Sequence, residues 1–367
     1  VPDALHAWLD NQLDQHVGAA RLTDSTSRAE HDVTVRLGSR RLTVSGSAAV
    51  TRLLTDLRPL DAVDGGEVST NGAGGKDLHL HYLGEDSLPT LPDTSHLRRG
   101  PYGAITAWAN SEAGTAGDGT ESSPWLVCLE EDLSAMLAFH VDRRQALAFS
   151  RTELAPRQVA EFARTLMHWA AIADGNVIVH AAAVARGDRG LLVCGVGTSG
   201  KTTLVRQCIA NGWTFLADNV VEFGPAADLA TGEPGMLWST YATLKLRPDA
   251  LPVSPTESSI SQWDDEAEKN IHFLTGSTRD LFATAPVRHT ATLVLQPNGA
   301  SSPEPLDPGA GLLAIAPNTV AQFPFFEREV LQRVSALTRS APLFTAGRMP
   351  LDAMTGMLES VLEDVSA

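Results

Sequence analysis

The chain has 367 residues, 43% hydrophobic and 20% charged, with a net charge of −16. That length and balance suit a soluble globular protein with a large core, in two domains or one elaborated domain. The acidity argues against nucleic acid or an anionic membrane as partner, since both need a basic field, but it leaves room for a nucleotide held by a few local donors.

Three cysteines, Cys128, Cys194 and Cys208, show no C-x-x-C spacing. Buried thiols are expected rather than disulfides, and a cytoplasmic location with them. No apolar run is long enough for a transmembrane helix, and the acidic start does not have the form of a signal peptide.

In chain order, residues 1–150 are predicted to be a β-rich amino-terminal region with glycine-rich interruptions. Asp32–Leu37 and Arg41–Val44 alternate around Gly38-Ser39-Arg40 and predict a hairpin. Leu78–Leu83, Ala104–Trp108, Trp125–Leu129 and Ala135–His140 are further strand candidates. Asp64–Gly75 and Ser111–Pro124 are predicted loops. The pairs His79/His81 and His31/Asp32 lack a third ligand at a matching spacing and make no metal set.

A helix is expected over Pro156–Ala173, with Val159, Phe162, Ala163, Leu166, Trp169 and Ala170 on one face. The run Asn176–Val184, a polar turn and Leu191–Cys194 predict an antiparallel hairpin. Thr203–Ala210 is a predicted helix stopped by Asn211-Gly212. A strand pair is expected over Thr214–Asp218 and Val220–Phe223. Then come a strand at Ala291–Leu295 and closing helices near Glu327–Leu337 and Leu351–Leu362.

Between the predicted strand and helix lies Gly195-Val196-Gly197-Thr198-Ser199-Gly200-Lys201-Thr202, followed by Thr203. It matches the phosphate-loop pattern G-x-x-x-x-G-K-[ST] in full. The glycines let the backbone turn and aim its N–H groups at phosphate oxygens. Lys201 brings charge to the outer phosphates, and Thr202 offers a hydroxyl to Mg²⁺. The chain has only four lysines among its 28 basic residues, so a lysine at this position carries weight. The alternative is a glycine-rich turn with no ligand. Asp218, ending an apolar run, can act as base or metal ligand. Its alternative is a strand-end aspartate.

The stretch from Val177 to Phe223 resembles the kinase core of the HPr kinase/phosphorylase family and its relatives, including peptide-tailoring HPr-kinase-like enzymes. These share a nucleotide-binding core with phosphoenolpyruvate carboxykinases. The resemblance rests on His180 before the phosphate loop, on the loop itself, on Gly212 after the helix, and on Ala217-Asp218-Asn219-Val220. It implies an α/β fold: a phosphate-loop kinase domain over 151–367, with the β-rich region 1–150 contributing to acceptor binding. It implies ATP and Mg²⁺, a catalytic set of Asp218, His180 and Lys201, and metal ligation by Thr202 and Asp218. For Glu222, a metal ligand and an exposed-face glutamate are both open. It also implies a homo-oligomer.

Two departures stand out. Asn219 replaces the second aspartate of the pair, which shifts metal binding onto Asp218 or Glu222. No HPr-binding signature is present, so HPr itself is in doubt as substrate. Lys245, Arg247, Arg279 and Arg288 are candidate clamps for the γ-phosphate; each alone reads as a solvated surface charge, and one of the group is expected to reach the site. Trp263-Asp264-Asp265-Glu266 is expected to be an acidic loop.

The function expected is transfer of the γ-phosphoryl group from ATP to a hydroxyl of a serine-like side chain, a peptide or a small metabolite. The alternative is a nucleotide-binding regulatory or assembly module with feeble hydrolysis. A carboxykinase is disfavoured, because that chemistry needs a second metal set with lysine and histidine ligands.

Overall fold

Period-two burial shapes the first half of the chain. Trp125, Val127 and Leu129 share a buried cluster with Met136, Ala138, Leu147 and Phe149. The residues between them, Leu126, Cys128, Leu137, Phe139, Ala146 and Ala148, are buried in another. Strands that bury both faces need cover on each side. The computed structural model supplies it with helices. It describes residues 7–15, 33–45, 77–83, 98–102, 105–109, 125–130, 135–150, 156–225, 234–240, 243–246, 261–264, 269–273, 282–283, 285–322, 325–347 and 351–364.

The strands are β1 (Val33–Leu37), β2 (Arg40–Ser45), β3 (Leu78–Leu83), β4 (Arg98–Tyr102), β5 (Ile105–Ala109), β6 (Trp125–Glu130), β7 (Ala135–His140), β8 (Gln145–Ser150), β9 (Val177–Val179), β10 (Ala182–Arg186), β11 (Arg189–Gly195), β12 (Thr214–Asp218), β13 (Val221–Gly224), β14 (Met236–Trp238), β15 (Thr243–Leu246), β16 (Ser261–Asp264), β17 (Lys269–Phe273), β18 (Val287–Leu295), β19 (Glu304–Leu306) and β20 (Leu343–Ala346). The helices are α1 (7–15), α2 (Pro156–Ala173), α3 (Lys201–Ala210), α4 (Pro308–Val320), α5 (Glu327–Ser340) and α6 (Leu351–Asp364). Among the described residues the fold is therefore mixed α/β, with two large mixed sheets and six helices.

The first sheet has the order β1-β2-β3-β8-β7-β6-β5-β4. It is antiparallel except where β3 runs parallel to β2 and β8. Leu9 and Leu13 of α1 cover one face. Phe162, Leu166, Trp169 and Ala170 of α2 cover the other.

The second sheet runs β12-β10-β11-β18-β14-β13-β9, with β20 also paired to β18. Leu204, Val205 and Cys208 of α3 and Leu358 and Val361 of α6 pack on one face. Ile315 of α4 and Val330, Val334 and Leu337 of α5 pack on the other. β15, β17 and β16 make a separate three-stranded sheet.

Several expectations change. The apolar run 176–184 is not one strand. It breaks at His180, and β9 pairs with β13 while β10 pairs with β11 and β12. The strands over 214–218 and 220–223 do not pair with each other, because each has a different neighbour. Trp263 and Asp264 lie in β16 rather than a loop. The predicted loops 64–75 and 111–124 and the pair His31/Asp32 lie outside the described residues. Among the described residues no helix is long and apolar enough to cross a membrane.

Gly190 is buried where β11 shifts register against β18. A Cβ there would meet Val287 Cγ2 at 2.7 Å and the Arg288 carbonyl oxygen at 2.9 Å. Backbone cannot yield as a side chain can, so Gly190→Ala is expected to destabilise the protein by about 1–3 kcal/mol. Urea unfolding should show a lower midpoint at unchanged m-value. An unchanged midpoint would contradict the close approach of β11 and β18.

Candidate functional site

β10 runs antiparallel to both of its neighbours. Ala182, its first residue, pairs with Val193 of β11 on one side and Asp218 of β12 on the other. The carboxyl ends of β11 and β12 therefore lie at one edge, beside the start of β10. β18, parallel to β11, ends there as well, with Leu295 opposite Gly195. His180 stands just before β10 at the same edge. Local pairing thus gathers the phosphate loop, His180 and Asp218, three groups distant in sequence. Ligands of open α/β sheets bind at such carboxyl ends.

The loop leaves β11 at Gly195, whose φ is 147°. A side chain there would strike Ser199 Oγ and the Leu295 carbonyl, at 2.6 and 2.7 Å. Thr198 and Gly200 also take positive φ, 64° and 106°. Ser199 N–H donates to the Val196 carbonyl at 3.2 Å, closing the turn. Gly200 caps α3 without a side-chain hydrogen bond, and the first turn carries no acidic residue. No carboxylate of α3's own first turn thus competes for its positive end. Val196, Gly197 and Thr198 are exposed at the tip, as is Thr203 in the first turn of α3. Thr202 is half-buried. Ser199 Oγ is buried without a hydrogen-bond partner among the described residues, a polar atom facing the loop interior.

Lys201 is 7% exposed. Its ammonium donates to the carbonyls of Gly195 at 2.6 Å and Val196 at 3.3 Å. The positive charge is therefore held inside the curve of the loop. Neutral carbonyls are weaker partners for an ammonium than phosphate oxygens are.

His180 is half-buried, and its N–H donates to Thr319 Oγ1 of α4 at 3.4 Å. Burial, then the positive charges of Lys201 and Arg164, push its pKa down to about 4. The imidazole is neutral at physiological pH, and its buried Nδ1 has no partner among the described residues. Arg164 of α2 is thus a cation within electrostatic reach of the site. No local signal in the sequence marks it, because it sits in an amphipathic helix remote from the loop.

Asp218 closes β12 and is 8% exposed. The next residue, Asn219, has a φ of 132°. A residue with a Cβ rarely adopts this conformation, and such strain concentrates at functional sites. Asn219 thus makes the turn between β12 and β13.

Glu222 lies elsewhere than expected. It is fully buried, so it is not an exposed-face residue. Its Oε2 accepts from Ser39 N–H at 2.9 Å and Arg40 Nη1 at 3.0 Å. Its Oε1 accepts from Ser39 Oγ at 2.7 Å and Asn176 Nδ2 at 2.6 Å. Four donors fill the roughly four lone-pair sites of a carboxylate. None is left for a metal ion, so Glu222 drops out of the ligand set of Thr202, Asp218 and Glu222.

The clamp candidates fare differently. Arg288 pairs with Asp188 at 2.6 Å and lies opposite Arg189 at the start of β11. The strand puts it about 20 Å from the loop. Lys245 lies in β15, while Arg247 and Arg279 are outside the described residues. Cys194 and Cys208 are buried as expected, and burial pushes both thiols up to about 12.

Among the described residues no cluster of three or more His, Cys, Asp or Glu could hold a metal by protein ligands alone. Mg²⁺ in a phosphate loop takes most of its oxygens from phosphate and water, so one hydroxyl and one carboxylate suffice. No protein-family model matches the sequence, and no curated protein matches it.

The buried histidines make stability depend on pH. His289, hydrogen-bonded to Ser340 and Thr292, is also pushed by burial down to about 4. Below the unfolded value of about 6.5, the unfolded chain takes up protons that the folded one refuses. Stability is therefore full above that value and falls as pH drops toward 4. His289→Gln is expected to flatten this fall by up to about 1.4 kcal/mol per pH unit. Urea midpoints at pH 7, 6 and 5 check it. Parallel curves for variant and wild type would contradict it.

Proposed function

We propose that the protein is an ATP-dependent kinase of the HPr-kinase-like type that transfers the γ-phosphoryl group to a hydroxyl acceptor. The observation that carries this reading is the pairing of β10 with both β11 and β12. It sets a full phosphate loop and a buried aspartate on one sheet edge.

The uncapped start of α3, the positive-φ loop and the unpartnered Ser199 hydroxyl fit a nucleotide's phosphate tail. Backbone N–H groups of Gly195–Thr203 hold the β- and γ-phosphates. Lys201 exchanges its own loop's carbonyls for phosphate oxygens. Thr202 would hold Mg²⁺, with Asp218 reaching it through water, and the ion would neutralise charge on the phosphates. His180, neutral at physiological pH, orients the acceptor hydroxyl through a hydrogen bond. Arg164 adds positive potential where charge develops on the transferred group.

In the chemical step the acceptor oxygen forms a bond to the γ-phosphorus. The bond from that phosphorus to the β–γ bridging oxygen breaks, and ADP leaves. The acceptor proton passes to the Asp218 carboxylate. The acceptor is a serine-like side chain, a peptide or a small metabolite, and the amino-terminal sheet forms part of its site.

Asn219 favours a second reading, because it leaves Asp218 as the lone carboxylate of the turn. In that reading the protein is a regulatory nucleotide-binding module with slow hydrolysis. Incubation with labelled ATP and an acceptor library separates the two. Label appearing on a hydroxyl acceptor supports the kinase, whereas label appearing slowly and only as inorganic phosphate supports the module.

Lys201→Ala is expected to remove turnover with unfolding behaviour intact. Normal turnover by that variant would overturn the phosphate-loop assignment. Asp218→Asn is expected to lower phosphoryl transfer by about 10²–10⁴-fold while ATP affinity changes little. Equal losses in both would make Asp218 a metal ligand alone.

A further inference from the structure

Glu222 sits four residues after Asp218, and its side-chain hydrogen bonds reach the first sheet's hairpin and Asn176. The hairpin turn Gly38–Ser39 fits over it closely. Gly38 has a φ of 60°, and a Cβ there would overlap Glu222 Oε2. Arg40 is 1% exposed and reaches both Glu222 and Asp174, the latter through Nε at 2.5 Å. Arg144, from the turn between β7 and β8, pairs with the same Asp174 at 2.9 Å. Two arginines of the amino-terminal sheet thus meet two carboxylates that follow that sheet in the chain, Asp174 and Glu222.

This joint lies at one end of a short ladder. β9 and β13 pair through Val177–Phe223, Ile178–Glu222 and Val179–Val221. The hairpin grips Asn176, just before the first pair, and Glu222, in the middle pair. At the other end the two strands lead straight into His180 and, through Val220 and Asn219, into Asp218. The Thr240 hydroxyl donates to the Val220 carbonyl and holds that link from its far side. One residue pair, Val179–Val221, therefore separates the gripped Glu222 from His180 and Val220.

We infer that Glu222 is a positioning residue, and that the amino-terminal hairpin clamps the β9–β13 ladder so as to set His180 and Asp218 against the phosphate loop. This rests on the kinase reading for its catalytic consequence. The amino-terminal sheet then does more than present an acceptor, because its docking completes the site. Removing one partner from a buried charge network leaves the others uncompensated, so the clamp is sensitive to a single atom.

Two variants of the full chain test it. Glu222→Gln replaces one acceptor oxygen by a donor facing Ser39 and Arg40. Gly38→Ala alters no charge and lies wholly in the hairpin, yet its methyl displaces the turn from Glu222. Each is assayed well below its own unfolding midpoint, where it is fully folded. ATP affinity, measured by calorimetry, is expected to stay within threefold. ATP turnover is expected to fall at least tenfold, and the double variant to fall no further than the worse single one. Amide exchange over 177–180 and 218–223 should quicken in both, with or without nucleotide.

Unchanged turnover per folded molecule, or unchanged exchange, would overturn the clamp. So would equal losses of affinity and turnover. If either variant does not fold, Ser39→Ala, which removes one hydroxyl, gives the same readouts at smaller amplitude. If the wild-type chain itself neither binds nor turns over ATP, the kinase reading fails. The exchange experiment then still decides whether the hairpin holds the ladder.

Discussion

The architecture depends on one strand being antiparallel to both of its neighbours. Because Ala182 of β10 faces Val193 on one side and Asp218 on the other, two strands that never touch end at the same height. Were β10 antiparallel to one neighbour and parallel to the other, the Gly195 loop and Asp218 would lie at opposite edges. Hydrogen-bond geometry alone makes the juxtaposition, before any side chain is considered. Burial then fixes it. Val193 and Leu191 point into the layer under α3 and α6, while Leu192 and Cys194 point into the layer under α4 and α5. A slip of one residue would exchange the two faces and break both.

Much of this was legible in the sequence, and the reasons differ by element. The phosphate loop declares itself because its chemistry needs glycines and a lysine at set spacings. Helix α2 was plain because six apolar residues fall on one face at spacings of three and four, and its bounds follow them. β7 was readable over its full length. Failures came where local pattern and long-range pairing part company. Val177–Val184 is continuously apolar, and nothing local says that the chain changes partners at His180. α4 carries Gly309, Gly311 and Pro317, residues that normally interrupt a helix, yet it forms because Asp307 caps it and Pro308 opens it. β19 and β20 are short and gain their order from β18.

Residue by residue, the candidate site shows the same division. Lys201, Thr202 and the glycines were found by motif. Asp218 was proposed from its place at the end of an apolar run and His180 from the resemblance, and strand pairing brings them to the same sheet edge. Glu222 was misplaced because a glutamate two residues past a strand start looks like any other. Only the three-dimensional structure shows Ser39, Arg40 and Asn176 converging on it. Arg164 had no signal at all. What sequence pattern cannot supply is the partner of a buried charge, and in this protein the two halves of the chain are joined by such partners.

That joint gives the amino-terminal sheet a physical connection to the phosphate loop. Arg40 and Arg144 bring charge to the carboxyl end of α2, where Asp174 adds to the negative end of the helix dipole. The same helix carries Arg164 toward His180. One helix therefore packs on the amino-terminal sheet along its apolar face, leads into the Asp174 ion pairs at its end and carries a cation within electrostatic reach of His180.

The most direct measurement is phosphorus NMR of ATP with Mg²⁺ titrated by the wild-type chain. Saturable shifts of the β- and γ-phosphate resonances, reaching one nucleotide per chain, are the predicted result. Unshifted resonances at millimolar nucleotide would contradict the phosphate-loop site, and with it the kinase.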